Sequence, residues 1–418
     1  MSSTLSTPTA GRTGGSTERP ASLDTVLGYA WDADDFTATD VMAATGLTRT
    51  TAIEATQTLV ELGLLRELPN AREAGQYQKG RPARRFEFRA EAGLVVGVDA
   101  GHSHLTATVA NLRGVPLTTI SAESGLKPGT EHNLDGVAEA ERRNAIVSVI
   151  DNALSDAKPD DADVFAICLG VPAPVDESGV SPVHRTGFWQ RINPDLVGLL
   201  KQWAPVVRVE NDASLAALAE AACGAAQGCR NFVTMLAGSR LGSGVVVDGN
   251  LLRGARGGVG EMGAFEHVEG VSDTYGLGYQ AAELARRSLA TDDIGADSEL
   301  RSFTPEDLDG RAVIELAAKG DPDALRLISV VGQRLARIVS VFGGMYDPEK
   351  VIVAGGIGPG AGPLIEAAQA ALPSDLYSPA PEIVASQLGD KAVVTGAVVA
   401  AVDLARTHAL DLCLRARE

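Results

Sequence analysis

Leu94–Gly114 reads LVVGVDAGHSHLTATVANLRG, an apolar run that ends in Asp99-Ala100-Gly101-His102-Ser103 before apolar residues resume in alternation at Leu105, Ala107 and Val109. This pattern predicts strand, tight turn, strand. The turn gathers the Asp99 carboxylate, Gly101 and the Ser103 hydroxyl, a set that suits a nucleotide phosphate and its magnesium. His102 stands where a second small residue would best admit a phosphate.

Strands and helices alternate onward from this stretch. Val164–Leu169 predicts a buried strand leading into Gly170-Val171-Pro172-Ala173-Pro174-Val175-Asp176. Val206–Val209 predicts another, ending at Glu210-Asn211-Asp212 before a small-residue helix over Ala213–Ala226. Phe232–Leu236 and Val245–Val247 flank an expected turn, Gly238-Ser239-Arg240-Leu241-Gly242-Ser243-Gly244, and Val351–Ala354 runs into Gly355-Gly356-Ile357-Gly358. Glycine turns at strand ends are where open α/β sheets bind ligands. Two strand–turn–strand glycine loops, one early and one at mid-chain, suggest duplicated lobes around a nucleotide cleft.

A chain of 418 residues buries a large core and has room for two or three domains. No apolar run in the sequence approaches a membrane span. The first twenty residues, rich in Ser, Thr, Gly and Pro, lack the apolar core of a signal peptide and are expected to form a disordered tail. Cys168, Cys223, Cys229 and Cys413 are scattered without a CxxC pair, which argues against disulfides and a cysteine zinc site and favours the cytoplasm. The net charge of −18 argues against a surface coated for nucleic acid. Arg66–Arg89 nevertheless carries seven basic residues against three acidic ones.

Ahead of the α/β region, Leu23, Val26, Leu27, Ala30 and Trp31 form the stripe of a short amphipathic helix. A second helix is expected over Thr39–Thr45, stopped by Gly46, and a third, capped by Thr48, through Ile53, Leu59 and Val60 to Leu62. Two short helices joined through Gly46-Leu47 make a helix-turn-helix, and Leu64–Leu68 with Arg85–Phe88 would pair as a wing. This arrangement would set Arg49, Thr50 and Thr51 against bases in a major groove, with Arg81, Arg84 and Arg85 on the phosphate backbone or in a minor groove. The plainer alternative is a helical docking domain with a solvated basic loop. From Ala21 to Leu65 only Arg49 is basic, against seven acids, so affinity is expected to be modest and salt-sensitive.

From about Leu94 to Val399 the chain resembles the ROK family (repressors, open reading frames and sugar kinases) of the hexokinase–actin-like superfamily. The resemblance rests on GVDAGHSH, GVPAPVD, VENDASLAALAE, GSRLGSGVVVDGNLLRGARGGVGEMG and VIVAGGIG, in the family's order. It implies an N-terminal winged helix-turn-helix (21–90) followed by a two-lobed α/β actin-like fold (91–418, lobes about 91–207 and 208–400, closing helix about 391–408). It implies further that Asp212 is the family's catalytic base and that Asn211 and Glu261 hold sugar hydroxyls. Read without the family, Asp212 is better explained as a helix cap. Asp99, Gly101, Ser103, Gly238, Ser239, Gly242, Gly244, Gly355 and Gly356 correspond to the nucleotide loops, although glycines also persist where a fold needs its turns. The histidine that helps hold the family's structural zinc is replaced by Ala264, and Glu269–Ala282, EGVSDTYGLGYQAA, has none of the expected cysteines. No structural zinc and no other metal is expected. Arg240, in place of a small or apolar residue, would either bind an anion or plug the cleft.

These features point to a DNA-binding transcriptional regulator, a repressor by family resemblance, with a degenerate kinase domain serving as sugar-type effector sensor and oligomerisation platform. The expected partners are double-stranded operator DNA, a sugar-like effector and further copies in a homodimer or homotetramer, with no membrane. The expected location is the cytoplasm, on the nucleoid when DNA-bound. The alternatives are an ATP- and magnesium-dependent sugar kinase with a regulatory head, and a regulator that acts through protein contacts.

Overall fold

The computed structural model describes residues 20–69, 83–102, 104–124, 136–157, 162–184, 186–374 and 379–415. The expected N-terminal tail, Arg81 and Ser103 lie outside the described residues. The chain divides into two units, Met1–Ala90 with Leu410–Glu418, and Glu91–Ala409.

In the smaller unit α1 (Ala21–Asp32) buries the predicted stripe, Leu23, Val26, Leu27, Ala30 and Trp31. A strand unmarked in the sequence, β1 (Phe36–Thr37), leads into α2 (Ala38–Thr45). Thr37 and Asp40 form a reciprocal capping box at the start of α2, and Gly46 ends it in the left-handed region at φ 72°. Thr48 then caps α3 (Arg49–Glu61) through the Thr51 amide. The wing strands β2 (Leu65–Leu68) and β3 (Arg85–Phe88) pair antiparallel, Leu65 opposite Phe88, and β1 adds to the outer edge of β3. Aromatic packing fastens this sheet to the helices, with the Trp31 and Phe88 ring centroids 4.3 Å apart.

The larger unit contains two five-stranded sheets of identical topology. The first comprises β4 (Leu94–Ala100), β5 (His104–Asn111), β6 (Pro116–Glu123), β7 (Val164–Val171) and β8 (Val206–Asn211), in the order β6-β5-β4-β7-β8. Helix α4 (Gly136–Ala157) crosses over from β6 to β7, and the short α5 (Phe188–Ile192) and α6 (Leu196–Leu200) lie between β7 and β8. Next, α7 (Asp212–Cys223) precedes the second sheet, which comprises β9 (Phe232–Ala237), β10 (Leu241–Val247), β11 (Asn250–Leu251), β12 (Lys350–Ala354) and β13 (Glu382–Ala385). Its order is β11-β10-β9-β12-β13. Helices α8 (Leu277–Ala290), α9 (Gly310–Ala318), α10 (Pro322–Tyr346) and α11 (Gly362–Ala370) cover it, and α12 (Ala392–Arg415) closes the chain. Each sheet is an antiparallel meander followed by parallel strands, so the repeated glycine loops do reflect a repeated architecture.

Three sequence expectations change. The expected mid-chain turn over Gly238–Gly244 is only Gly238-Ser239-Arg240, because β10 begins at Leu241 and pairs Gly242 with Leu236 and Gly244 with Thr234. The first sheet keeps all of β8, so it ends at Asn211, a few residues beyond the boundary expected near 207. Finally, the stretch Gly389–Arg415 is long enough to cross a bilayer and holds an 18-residue window of mean hydropathy 1.4, although no membrane-length run was expected. Its apolarity has a packing cause: Ala397, Ala401 and Ala405 are fully buried, and Val398 lies so close to β4 that only glycine fits at Gly97.

Candidate functional site

The smaller unit presents the start of α3. Arg49 and Thr50 are exposed there, and Arg49 makes no ion pair or hydrogen bond to another described residue. Thr51 is half-buried, its hydroxyl 2.8 Å from that of Thr48, so it belongs to the cap as much as to the surface. The wing arginines have partners within the smaller unit. Arg84 donates to Glu67 at 2.6 Å and to Gln57 at 3.3 Å, with its guanidinium 5.2 Å from the centre of the Phe86 ring. Arg85 is ion-paired with Asp35, and Arg66 with Glu87. Both guanidinium groups stay about half exposed in these pairs, so Arg84 and Arg85 brace the base of the wing while keeping an outward surface. The pairing with Arg84 holds the Glu67 carboxyl below its usual range. Two of the seven acids that opposed DNA contact are likewise spent, Asp40 in the capping box and Asp35 on Arg85.

In the larger unit a cleft of about 1610 Å³ brings together Asp99, Gly101, Asn211, Asp212, Gly238, Ser239, Gly242, Gly355 and Glu261. Gly244 and Gly356 do not line it. Asp212 opens α7, and its Oδ1 accepts the Ala213 amide at 2.7 Å. The main capping duty falls on Asn211, whose Oδ1 accepts from the Ser214 amide at 3.0 Å while its Nδ2 donates to the Ala173 carbonyl at 3.2 Å. Asn211 thus works mostly within the fold, with one amide hydrogen left for a ligand, and Asp212 keeps Oδ2 open to the cleft. Glu261 flanks the short 3-10 turn Met262–His267 and makes no cap with its side chain.

Among the carboxyl groups that line this space, three have raised pKa values. Burial first, then the charges of Asp99 and Glu261, push Asp212 up to about 8. Burial pushes Asp99 up to about 7 against the pull of Arg142. Glu261 is reached by solvent at the cleft mouth yet enclosed by protein, and burial raises it too, with Arg240 opposing. At neutral pH the cleft therefore holds carboxyl groups able to donate as well as accept hydrogen bonds, a suitable lining for hydroxyl-rich ligands.

Sequence reasoning missed the groups that hold this cleft in shape. Arg142 on α4 is fully buried and donates to the carbonyls of Gly101 at 2.9 Å, Ile192 at 3.1 Å and Ala100. In sequence it is one of two adjacent arginines on a helix, indistinguishable from a solvated pair. Arg253, from the LLRGARGG segment, donates to the buried Glu210 at 2.8 Å just ahead of Asn211-Asp212. Arg240 neither plugs the cleft nor stands free: it donates to Glu266 and Thr274, each at 2.9 Å. The His184 and Trp189 rings meet at 4.5 Å between centroids, tilted by 44°, on the cleft wall, and His102 lies 6.3 Å from Phe188 beside them.

The glycines separate by cause. A Cβ at Gly244 would stand 2.4 Å from the Ala213 carbonyl oxygen, and one at Gly355, where φ is 97°, 3.0 Å from that of Ala237. These two serve packing. At Gly238 a Cβ would meet nothing closer than 3.8 Å, so the fold itself leaves room there for something in the cleft.

The residues where the family resemblance implies zinc do not fit one. Glu266 is taken by Arg240 and Thr274, Asp273 accepts the Tyr275 amide at 3.0 Å, and the segment offers no thiolate. Among the described residues no three His, Cys, Asp or Glu side chains gather where a metal could sit.

Comparison with known proteins agrees with this architecture. Residues 95–403 match the ROK family and residues 32–69 the IclR helix-turn-helix domain. The chain is 29% identical to the bifunctional enzyme NanE/NanK of Brucella melitensis over 53% of this chain and 41% of that protein, so it spans well under half of that relative. It is 26% identical to the glucokinase of Streptomyces coelicolor (75% of this chain, 98% of that one) and 26% identical to the DNA-binding transcriptional repressor Mlc of Escherichia coli (82% and 83%). Among solved structures, a ROK family transcriptional regulator homologous to E. coli MLC has the same fold, with TM-score 0.70 and 21% identity over 94% of this chain and 100% of that one. The family model spans most of the chain, from the strand before Asp99 into α12, and the chain belongs to the ROK family.

Proposed function

We propose that this protein is a DNA-binding transcriptional repressor whose larger unit senses a small sugar-like effector. The observation that carries the reading is the joining of a helix-turn-helix with paired wing strands to a ROK region on one chain. The exposed Arg49 and Thr50 at the N-terminus of α3 would read base edges, and the helix end itself favours phosphate. The similarity to Mlc, to NagC of E. coli and to the xylose repressor of Bacillus spizizenii supports DNA as the partner.

For the effector, the carboxyl groups and the His184–Trp189 pair that line the cleft suit a ring with hydroxyl edges and an apolar face. Asp212 lies where the chain leaves the first sheet for the second. A ligand on it would bias closure of the lobes and so the spacing of two DNA-reading heads. Symmetric operators call for a homodimer or homotetramer working in the cytoplasm. Neither zinc nor ATP is required by this reading.

Selection of bound sequences from random DNA, with and without a sugar panel at fixed salt, tests both halves. Enrichment of a palindromic site that one sugar weakens is expected. Failure to enrich any sequence overturns the DNA half, and enrichment untouched by every sugar overturns the effector half.

A further inference from the structure

The wall of the cleft between Glu261 and the Gly238 turn lacks the thiolates of a zinc site, yet its loop is tightly built. Val271 is fully buried in the core with Met262, Phe265 and Leu277, and Thr274 is 1% exposed. Around Thr274 three polar groups close a triangle. Arg240 Nη2 donates to Glu266 Oε1 and to Thr274 Oγ1, each at 2.9 Å, and Thr274 Oγ1 donates to Glu266 Oε1 at 2.9 Å. The Arg240 guanidinium also lies 5.2 Å from the centre of the Tyr275 ring. The same two segments are joined through the backbone, where the Leu241 amide donates to Thr274 at 2.8 Å and the Gly276 amide to Ser239 at 3.0 Å.

We infer that Arg240, Glu266 and Thr274 form a metal-free staple that fastens the Gly238-Ser239 turn to the Glu261 segment and so positions Glu261 in the cleft. One cation and one anion balance within it, and the hydroxyl satisfies both. The staple belongs to the chain alone, with no bound ion to lose. An ion pair as exposed as this one, 46% at Arg240 and 44% at Glu266, adds little to global stability. Its effect is local: it sets how often the cleft wall opens. The inference stands on the loop's own geometry, and only the consequence for ligand binding rests on the effector reading.

Amide hydrogen exchange on the full chain tests it without any ligand. The probes are the Leu241 and Gly276 amides, followed in the wild type, in Arg240→Met, in Thr274→Val and in the charge-swapped pair Arg240→Glu with Glu266→Arg. Arg240→Met is expected to speed exchange at both amides by roughly fivefold, the loss of about one weak ion pair, while amides of β4 and β12 stay protected. Thr274→Val, which removes only the hydroxyl, should act in the same direction, and the swapped pair should recover part of the protection. Dipicolinate and added zinc should leave wild-type exchange unchanged. Exchange that dipicolinate accelerates and zinc reverses would overturn the inference, as would unchanged exchange at both amides in Arg240→Met and Thr274→Val.

Discussion

Replacing Arg142 with methionine tests how the first turn is held. Arg142 is fully buried and gives its guanidinium to three backbone carbonyls, those of Ala100, Gly101 and Ile192, while lowering the pKa of the buried Asp99. Methionine refills most of the stem volume, so the loss is mainly polar. Removing one partner from a buried charged cluster costs about 3–5 kcal/mol. At roughly 2 °C per kcal/mol for a unit this large, the unfolding transition should fall by about 6–10 °C.

The loss should also depend on pH. The Asp99 pKa in the folded chain, about 7, is above its ordinary value of 3.8. Folding therefore takes up a proton on Asp99 across that window, and the group's contribution to stability falls as pH rises through it. Arg142 compensates only the ionised form. At about pH 5.5 Asp99 is neutral in the fold, and the variant loses only the carbonyl bonds; at about pH 8.5 it loses the charge compensation as well. Calorimetry of both proteins at the two pH values should show the larger drop at the higher one. Equal drops, or a larger one in acid, would refute the reasoning.

Gly244→Ala places a Cβ 2.7 Å from that of Ala217 and 2.4 Å from the Ala213 oxygen, an overpacking of about 1–3 kcal/mol. Its melting temperature should fall by about 2–6 °C, while Gly238→Ala stays within about 1 °C of wild type; melting curves in the reverse order would show that the two glycines are misassigned. In gel-shift titrations Arg49→Ala should weaken operator binding by about 1–3 kcal/mol, whereas Arg84→Ala, already held by Glu67, should change it less than about threefold. A larger loss at Arg84 would return that residue to the DNA surface. A coupled ADP-release assay over a sugar panel should give no turnover above that of Asp212→Asn, and sugar-dependent release abolished by that substitution would favour the kinase alternative.

Much of this was legible in the sequence, and the part that was not shares one cause. The stripe of α1, the stop at Gly46 and the cap at Thr48 are local, set by helical period and by single residues, and they appear within a residue of where the pattern puts them. The strand β1 was missed because two residues carry no period of their own; only pairing of Phe36 with Phe86 makes them a strand. The turn over Gly238–Gly244 was overextended because Gly242 and Gly244 look like loop glycines, when they are strand residues cleared for α7.

By itself the sequence determined the order of elements, the duplicated glycine loops, the helix-turn-helix ahead of them and the carboxylates Asp99, Asp212 and Glu261. These depend on periodicity, turn chemistry and motif order, which neighbouring residues carry. Only the tertiary structure decided which charges are free and which are spent. Arg49 is exposed with no partner among the described residues, Arg84 and Arg85 are ion-paired within the smaller unit, Arg142 is buried against carbonyls, and Arg240 closes a staple with Glu266 and Thr274. An arginine reads the same in any sequence, and its role is fixed by which oxygen atoms the fold carries to it, often from residues tens of positions away.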